Sequence, residues 1–189
     1  KYKEGDGAAF VMHAESTDKI LLFAENGRFY TLAADKLPRG RGFGEPVSLI
    51  VDLPSDISIV NILVVMSGKM LVAASSGHGL VVDILKAVAQ TRSGKQILNL
   101  ADNARAVACC VASGDMVASV GVNRKLILFP LDEVPEMTRG KGVILQRFKD
   151  GGLADIAVFD SAKGLSWQTS GRRIRTETDI TTWIARRGG

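Results

Sequence analysis

SGKMLVAASSGHGLVVD, Ser67 to Asp83, runs from a polar lead-in through an apolar stretch and a glycine-containing turn into a second apolar stretch. Both runs are short, and turn residues separate them, so the segment predicts a β-hairpin rather than a helix. Three further segments align with it without gaps: STDKILLFAENGRFYTL from Ser16, SGDMVASVGVNRKLILF from Ser113 and SAKGLSWQTSGRRIRTE from Ser161. Their leading serines are 51, 46 and 48 residues apart, and the residue after the turn (Phe29, Leu80, Leu126, Ile174) keeps the same spacings. Two landmarks with one rhythm indicate an internal repeat.

Outward from each hairpin the pattern continues. A short hinge follows (DKLP, LKAV, DEVP, TTWI), then a basic turn containing Gly or Ser: RGRGFGEP after Pro38, TRSGKQ, TRGKGV and ARRGG. Another apolar stretch comes next in PVSLIVDLP, ILNLADNARAVACCVA and VILQRFKDGGLADIAVF. VDILKAVAQT has some helical character, but its counterparts mark it as hinge plus turn. About 48 residues with roughly four strands per unit predicts an all-β, propeller-like array of about four blades, each needing a neighbour to cover its faces. The repeats fall at approximately 16–66, 67–112, 113–160 and 161–189, within one domain spanning 1–189. KEGDGAAFVMHAES, near the start, resembles FKDGGLADIAVFDS at the end of a unit. Residues 1–15 are therefore expected to complete the last repeat or, equally, to be the end of a unit in an array cut at mid-repeat.

The 189 residues, 46% hydrophobic and 23% charged with 20 glycines, are those of a globular chain with a buried core. No apolar stretch approaches the length of about 20 residues that spans a bilayer, and KYKEGDG does not open a signal peptide. Cys109 and Cys110 are adjacent in AVACCVA and are expected as reduced packing residues of an intracellular protein. His13 and His78 stand apart from any metal-ligand spacing, so no metal site is expected.

A net charge of +4 argues little, but its distribution argues more. The turn windows 38–47, 88–97, 137–146 and 183–189 hold Arg39, Arg41, Arg92, Lys95, Arg139, Lys141, Arg186 and Arg187 against Glu45 alone, a net of +7 where the remainder carries −3. Stacked blades put equivalent loops on one rim, so the turns predict a periodic basic stripe suited to the phosphates of duplex DNA. Arg28, Arg124, Lys125, Arg172 and Arg173 at the hairpin turns, and Arg147 beyond the third basic turn, are candidates to widen it. With no base-reading helix in the pattern, contact without strong sequence preference is expected. An enzyme is disfavoured because no convergent set of acids or histidines appears. A protein-binding propeller of the WD kind is disfavoured because no Trp-Asp or Gly-His pair recurs.

GRFYTLAADKLPRGRGFGEPV, TRSGKQILNL and LILFPLDEVPEMTRGKGVIL together resemble the gyrase A and topoisomerase IV A C-terminal β-pinwheel family, over essentially the whole chain. The heptad Q-R-R-G-G-K-G, a mark of the gyrase branch, is absent, and ARRGG from Ala185 is its nearest approach. That departure favours the topoisomerase IV branch over the alternative of a gyrase A domain that wraps DNA. The resemblance implies strand-exchanging blades that bind and bend duplex DNA, presenting a transported segment to a type IIA topoisomerase for ATP-dependent strand passage, decatenation and relaxation. It implies two partners, the N-terminal breakage-reunion domain of the same polypeptide and the B-type subunit of topoisomerase IV in an A2B2 assembly. Mg2+ and ATP would bind on those other parts, and no cofactor on this chain. The catalytic tyrosine would also lie elsewhere, with neither Tyr2 nor Tyr30 replacing it. The implied location is the bacterial cytoplasm, at the nucleoid, with a peripheral membrane position as a variant.

Overall fold

The computed structural model describes residues 4–5, 7–40, 42–169, 171 and 173–189. In chain order the first strands are β1 (Lys19–Ala24), β2 (Arg28–Ala33), β3 (Ile59–Val64), β4 (Lys69–Ala74), β5 (His78–Asp83), β6 (Lys95–Gln96) and β7 (Ala106–Val111). They are followed by β8 (Met116–Gly121), β9 (Leu126–Pro130), β10 (Val143–Ile144), β11 (Leu153–Phe159), β12 (Leu165–Gln168) and β13 (Ile174–Glu177). The four repeated segments are the hairpins β1–β2, β4–β5, β8–β9 and β12–β13, each antiparallel.

Each hairpin seeds one sheet, and further strands extend the first three. The orders are β3-β1-β2-β6, β10-β5-β4-β7, β11-β8-β9 and β12-β13. β6 follows the second hairpin but pairs with β2 of the first, and β10 follows the third hairpin but pairs with β5 of the second. Past the fourth hairpin, Ile184 bridges Leu128 of β9. The second, third and fourth units thus send their outgoing segments back to the preceding blade, the strand exchange of a β-pinwheel. The hinges are single helical turns. Ala34–Lys36, Leu131–Glu133 and Thr181–Trp183 are 3-10, while α1 (Ile84–Ala87) is α-helical, its N-terminus capped where Asp83 Oδ1 accepts from Leu85 N at 2.9 Å. The helical character of VDILKAVAQT extends no further than this turn.

The pairing corrects the ungapped alignment by one residue in the second unit. Phe23 faces Phe29, Ala73 faces Gly79, Val120 faces Leu126 and Gln168 faces Ile174, so Gly79, not Leu80, is the counterpart of Phe29. The equivalent offsets are 50, 47 and 48 residues. A one-residue slip exchanges the two faces of a strand, so packing settles what string matching leaves open.

Alternation along the strands supplies the stacking surfaces. Leu21, Phe23 and Phe29 of the first blade pack with Met70, Val72 and Cys109 of the second, with Phe23 and Phe29 stacked at 4.6 Å. Leu71, Ala73 and Val81 face the other way, onto Val117, Phe129 and Ile156 of the third blade. Met116, Ala118 and Leu128 then meet Leu165 and Ile180 of the fourth. Adjacent Cys109 and Cys110 accordingly enter different layers, both as free thiols, and burial pushes the Cys110 thiol up to about 12 and raises that of Cys109 as well.

Two segments depart from expectation. PVSLIVDLP carries a 3-10 turn at Val47–Leu49 where the corresponding segments form β6 and β10. Those strands have a preceding hairpin to join; among the described residues this one has none. It folds instead onto the outer face of the first blade, where Val47 and Ile50 pack around Ile20, Leu22, Tyr30 and Val51. The described part of residues 1–15 contains no strand and does not join the fourth sheet. Met12 packs on that same outer face of the first blade, so among the described residues the fourth blade remains a two-stranded hairpin.

Candidate nucleic-acid interface

The four basic turns are built differently in detail. In the first, Gly40, Gly42 and Gly44 have φ of 42°, 93° and 86°, and a Cβ on any of them would meet nothing within 4 Å. The loop stands open to solvent, and Arg39 is exposed on it. The second and third turns are tight. Gly94 (φ 72°) would put a Cβ 2.7 Å from Phe29 O, and Gly142 (φ 76°) would drive one into Gly79 O. These equivalent glycines let the chain leave the turn and cross closely over the preceding hairpin.

Each of the last three turns accepts a hydrogen bond from the segment that leaves the turn before it. Asp52 N, downstream of the first turn, donates to Arg92 O of the second at 2.9 Å. Beyond the second turn, Asn99 N donates to Gly140 O of the third at 2.8 Å. Beyond the third turn the donor is a side chain: Arg147 Nη1 reaches Gly188 O of the fourth at 2.9 Å. Return bonds tighten two junctions, Gly140 N to Ile97 O at 2.9 Å and Gly188 N to Leu145 O at 2.8 Å. The last three turns are therefore each tied to the chain that leaves the preceding turn. No short sequence window contains this link, because each of its three bonds spans 40 or 41 residues.

The cations on these turns fall into two kinds. Arg39, Lys141 and Arg186 are exposed, with no side-chain hydrogen bond or ion pair among the described residues. Arg139 is also exposed, its Nε donating to Asn99 Oδ1 at 3.2 Å. Arg92, Lys95 and Arg187 are partly committed to the protein. Arg92 donates to Leu49 O at 3.1 Å and pairs with Asp52 at 3.3 Å. Lys95 Nζ donates to Lys86 O at 2.6 Å. Arg187 Nη1 donates to Ile144 O at 2.7 Å, while its buried Nε faces Glu133 at 3.9 Å without a hydrogen bond. The turn windows are nearly free of acids in sequence, but the fold brings Asp52 and Glu133 to them from elsewhere.

A family model described as the DNA gyrase C-terminal domain, β-propeller, matches residues 18–66 and 115–156. Over its full length the chain is 44% identical to the A-type subunit of DNA topoisomerase 4 from Rickettsia felis and 46% identical to that from Rickettsia bellii, covering 25% of each relative. The solved C-terminal domain of Escherichia coli ParC superposes on all of the chain and on 81% of its own length, with a TM-score of 0.84 at 24% identity. The chain belongs to the gyrase A and topoisomerase IV A C-terminal domain family. It spans about a quarter of the length of the curated relatives it matches.

In this pinwheel the hairpin turns lie beside the basic turns. Register makes Arg28, His78, Lys125 and Arg173 equivalent, each just beyond a hairpin turn. Arg124, Lys125 and Arg173 are exposed, and Arg124 holds a left-handed φ of 64° at the site filled by Gly27 and Gly77. In the first two hairpins that site must be glycine, since a Cβ would strike Leu98 O or Gln146 O of the crossing strand. The third hairpin has no such crossing strand among the described residues, so an arginine is accommodated. Lys125 O accepts from Gln146 Nε2 at 3.3 Å, next to Arg147 and the fourth turn. His78 is held below its ordinary pKa by burial and by nearby Lys141. Arg28 differs from its equivalents, for its guanidinium is turned onto the second basic turn. Arg41 and Arg172 lie outside the described residues. Tyr30 is buried, its hydroxyl accepting from Asn26 Nδ2 at 3.0 Å. Among the described residues no group of three His, Cys, Asp or Glu is placed to hold a metal ion. Among them, too, no helix is long and apolar enough to cross a membrane.

Proposed function

We propose that this domain binds duplex DNA along the linked edge of its basic turns, without strong sequence preference, and bends it. The observation that supports the reading is that each later turn is bonded to the segment leaving the turn before it, Asp52 to Arg92, Asn99 to Gly140 and Arg147 to Gly188, as four cationic loops in series would require. Exposed Arg39, Arg139, Lys141 and Arg186 supply phosphate contacts on that edge, with Arg124, Lys125 and Arg173 flanking it. Evenly recurring charge fits a polyanion of regular phosphate spacing, and no helix among the described residues is available to read base edges.

Within a topoisomerase IV of A2B2 composition, the domain would hold the transported segment for ATP-dependent passage, decatenation and relaxation. The breakage-reunion domain of the same polypeptide would perform cleavage, and the B-type subunit would use ATP and Mg2+, in the bacterial cytoplasm. The names of the relatives support this setting.

Titration against unrelated duplexes at several salt concentrations tests the reading. With about four to six phosphate contacts, log affinity falls against log salt with a slope of roughly −4 to −5. Unrelated sequences give the same slope. A flat salt response, or affinity that depends on one sequence, overturns the proposal.

A further inference from the structure

We infer that Arg28 is a positioning residue that shapes the second basic turn, and that it does not act as a phosphate contact. The inference rests on the DNA-binding reading but concerns a bond network seen in the free protein. Arg28 Nε donates to Ser93 O at 3.0 Å, Nη2 to Gly94 O at 3.2 Å and Nη1 to Gln96 Oε1 at 3.4 Å. Three of the five guanidinium N–H groups are therefore directed at one turn 65 to 68 residues away. Gln96 returns the contact, its Nε2 donating to Asn26 O at 3.0 Å and Leu98 O at 2.7 Å.

Chemistry explains the choice of arginine. Gly94 takes a left-handed φ of 72° to cross over Phe29 and Tyr30, and Ser93 O and Gly94 O are met there by a side chain. A planar fork can satisfy both carbonyls and the Gln96 amide at once, where an ammonium is a single point donor. The equivalent His78 and Lys125 make no such clasp: His78 Nδ1 meets Ser76 Oγ at 3.1 Å, and the Lys125 side chain has no partner among the described residues. The turn that carries Arg92 and Lys95 is thus fixed from the preceding hairpin.

The test compares Arg28→Lys, which keeps the charge, with Arg28→Met, which removes it. Two readouts are used. In the free protein, exchange of the Gly94 amide, which donates to Thr91 O at 3.1 Å, reports the pose of the turn. Both variants are expected to lose protection there by about tenfold. Unchanged protection in Arg28→Lys overturns the clasp whatever DNA does. In titrations against a random-sequence duplex, both variants lose affinity by about three- to tenfold, the net scale of one ordinary hydrogen bond, with the salt slope unchanged. If Lys restores affinity and Met lowers the slope by about one, Arg28 is a phosphate contact and the inference fails. Lys125→Met at the equivalent position is the control expected to lower the slope. Should the unsubstituted domain show no salt-dependent binding, the functional reading falls while the exchange measurement still decides the clasp. A variant with lost far-UV circular dichroism is replaced by Gln96→Ala, which removes one acceptor of the clasp. Unchanged Gly94 protection in that variant counts against the network.

Discussion

Gly142→Ala measures how closely an outgoing strand crosses the preceding hairpin. Gly142 has a φ of 76°, and a Cβ there would penetrate Gly79 O and come within 3.0 Å of Leu80 N. An L-residue held in the left-handed region costs about 1–2 kcal/mol. Relief of the overlap requires β10 to move away from β5, weakening the Val143–Gly79 and Ile144–His78 pairs, at about 0.5–1.5 kcal/mol for each hydrogen bond lost. The expected destabilisation is therefore about 2–5 kcal/mol, or roughly 4–20 °C in Tm for a domain of this size. Gly42→Ala is the matched control: its φ is 93°, but its Cβ would meet nothing within 4 Å. It pays the backbone cost alone, about 1–2 kcal/mol before any gain from a stiffer unfolded chain. Thermal unfolding followed by circular dichroism separates the two. If Gly142→Ala unfolds at the same temperature as Gly42→Ala or above it, the strand exchange does not pack as described.

Other consequences can be checked in the same preparation. Buried Ser119 Oγ donates to buried Gln146 Oε1 at 2.9 Å, so Ser119→Ala leaves that acceptor unpaired and lowers denaturant stability by about 1–3 kcal/mol. Asp115 is held below its ordinary pKa by the Ser161 hydroxyl and backbone N–H. Because the folded pKa is depressed, this stabilisation is present above the unfolded value of about 3.9 and is lost as pH falls through the lower folded one. The Tm difference between Ser161→Ala and the unsubstituted chain should be largest above about pH 5 and shrink toward pH 2, and a pH-independent difference refutes the linkage. With its pKa pushed up to about 12, Cys110 should alkylate at pH 8 far more slowly in the folded than in the unfolded chain, and equal rates contradict its burial.

Much of the fold was legible because its signals are local. Ser67–Asp83 announces a hairpin through run length and turn residues, and three copies repeat it. The cations of the basic turns were legible for the same reason. Register was not: the second unit aligned one residue out, since the string match paired Leu80 with Phe29 while the sheet pairs Gly79 there. The roles of the cations were also hidden. Arg28 and Arg39 look alike in sequence, but one is clasped to Ser93 O and Gly94 O and the other is exposed on an open loop. The spacing of the Arg28–Gln96 pair, 68 residues, exceeds any local window. GAAFVMHAES looked like a closing strand by its likeness to β11, but its described residues lie by the first blade, where Met12 meets Val51 and Ile20.

By itself the sequence determined the number of blades, the β-hairpin in each, the short apolar runs that build most of them, and the placing of positive charge at one point per repeat. These are properties of short windows, where backbone preference and side-chain period act directly. Only the tertiary structure decided which strand completes which sheet, which glycines are forced by a crossing backbone, and which cations are spent on carbonyls of a neighbouring unit. Those outcomes depend on contacts between segments about one repeat apart, whose energies arise only once the blades have stacked.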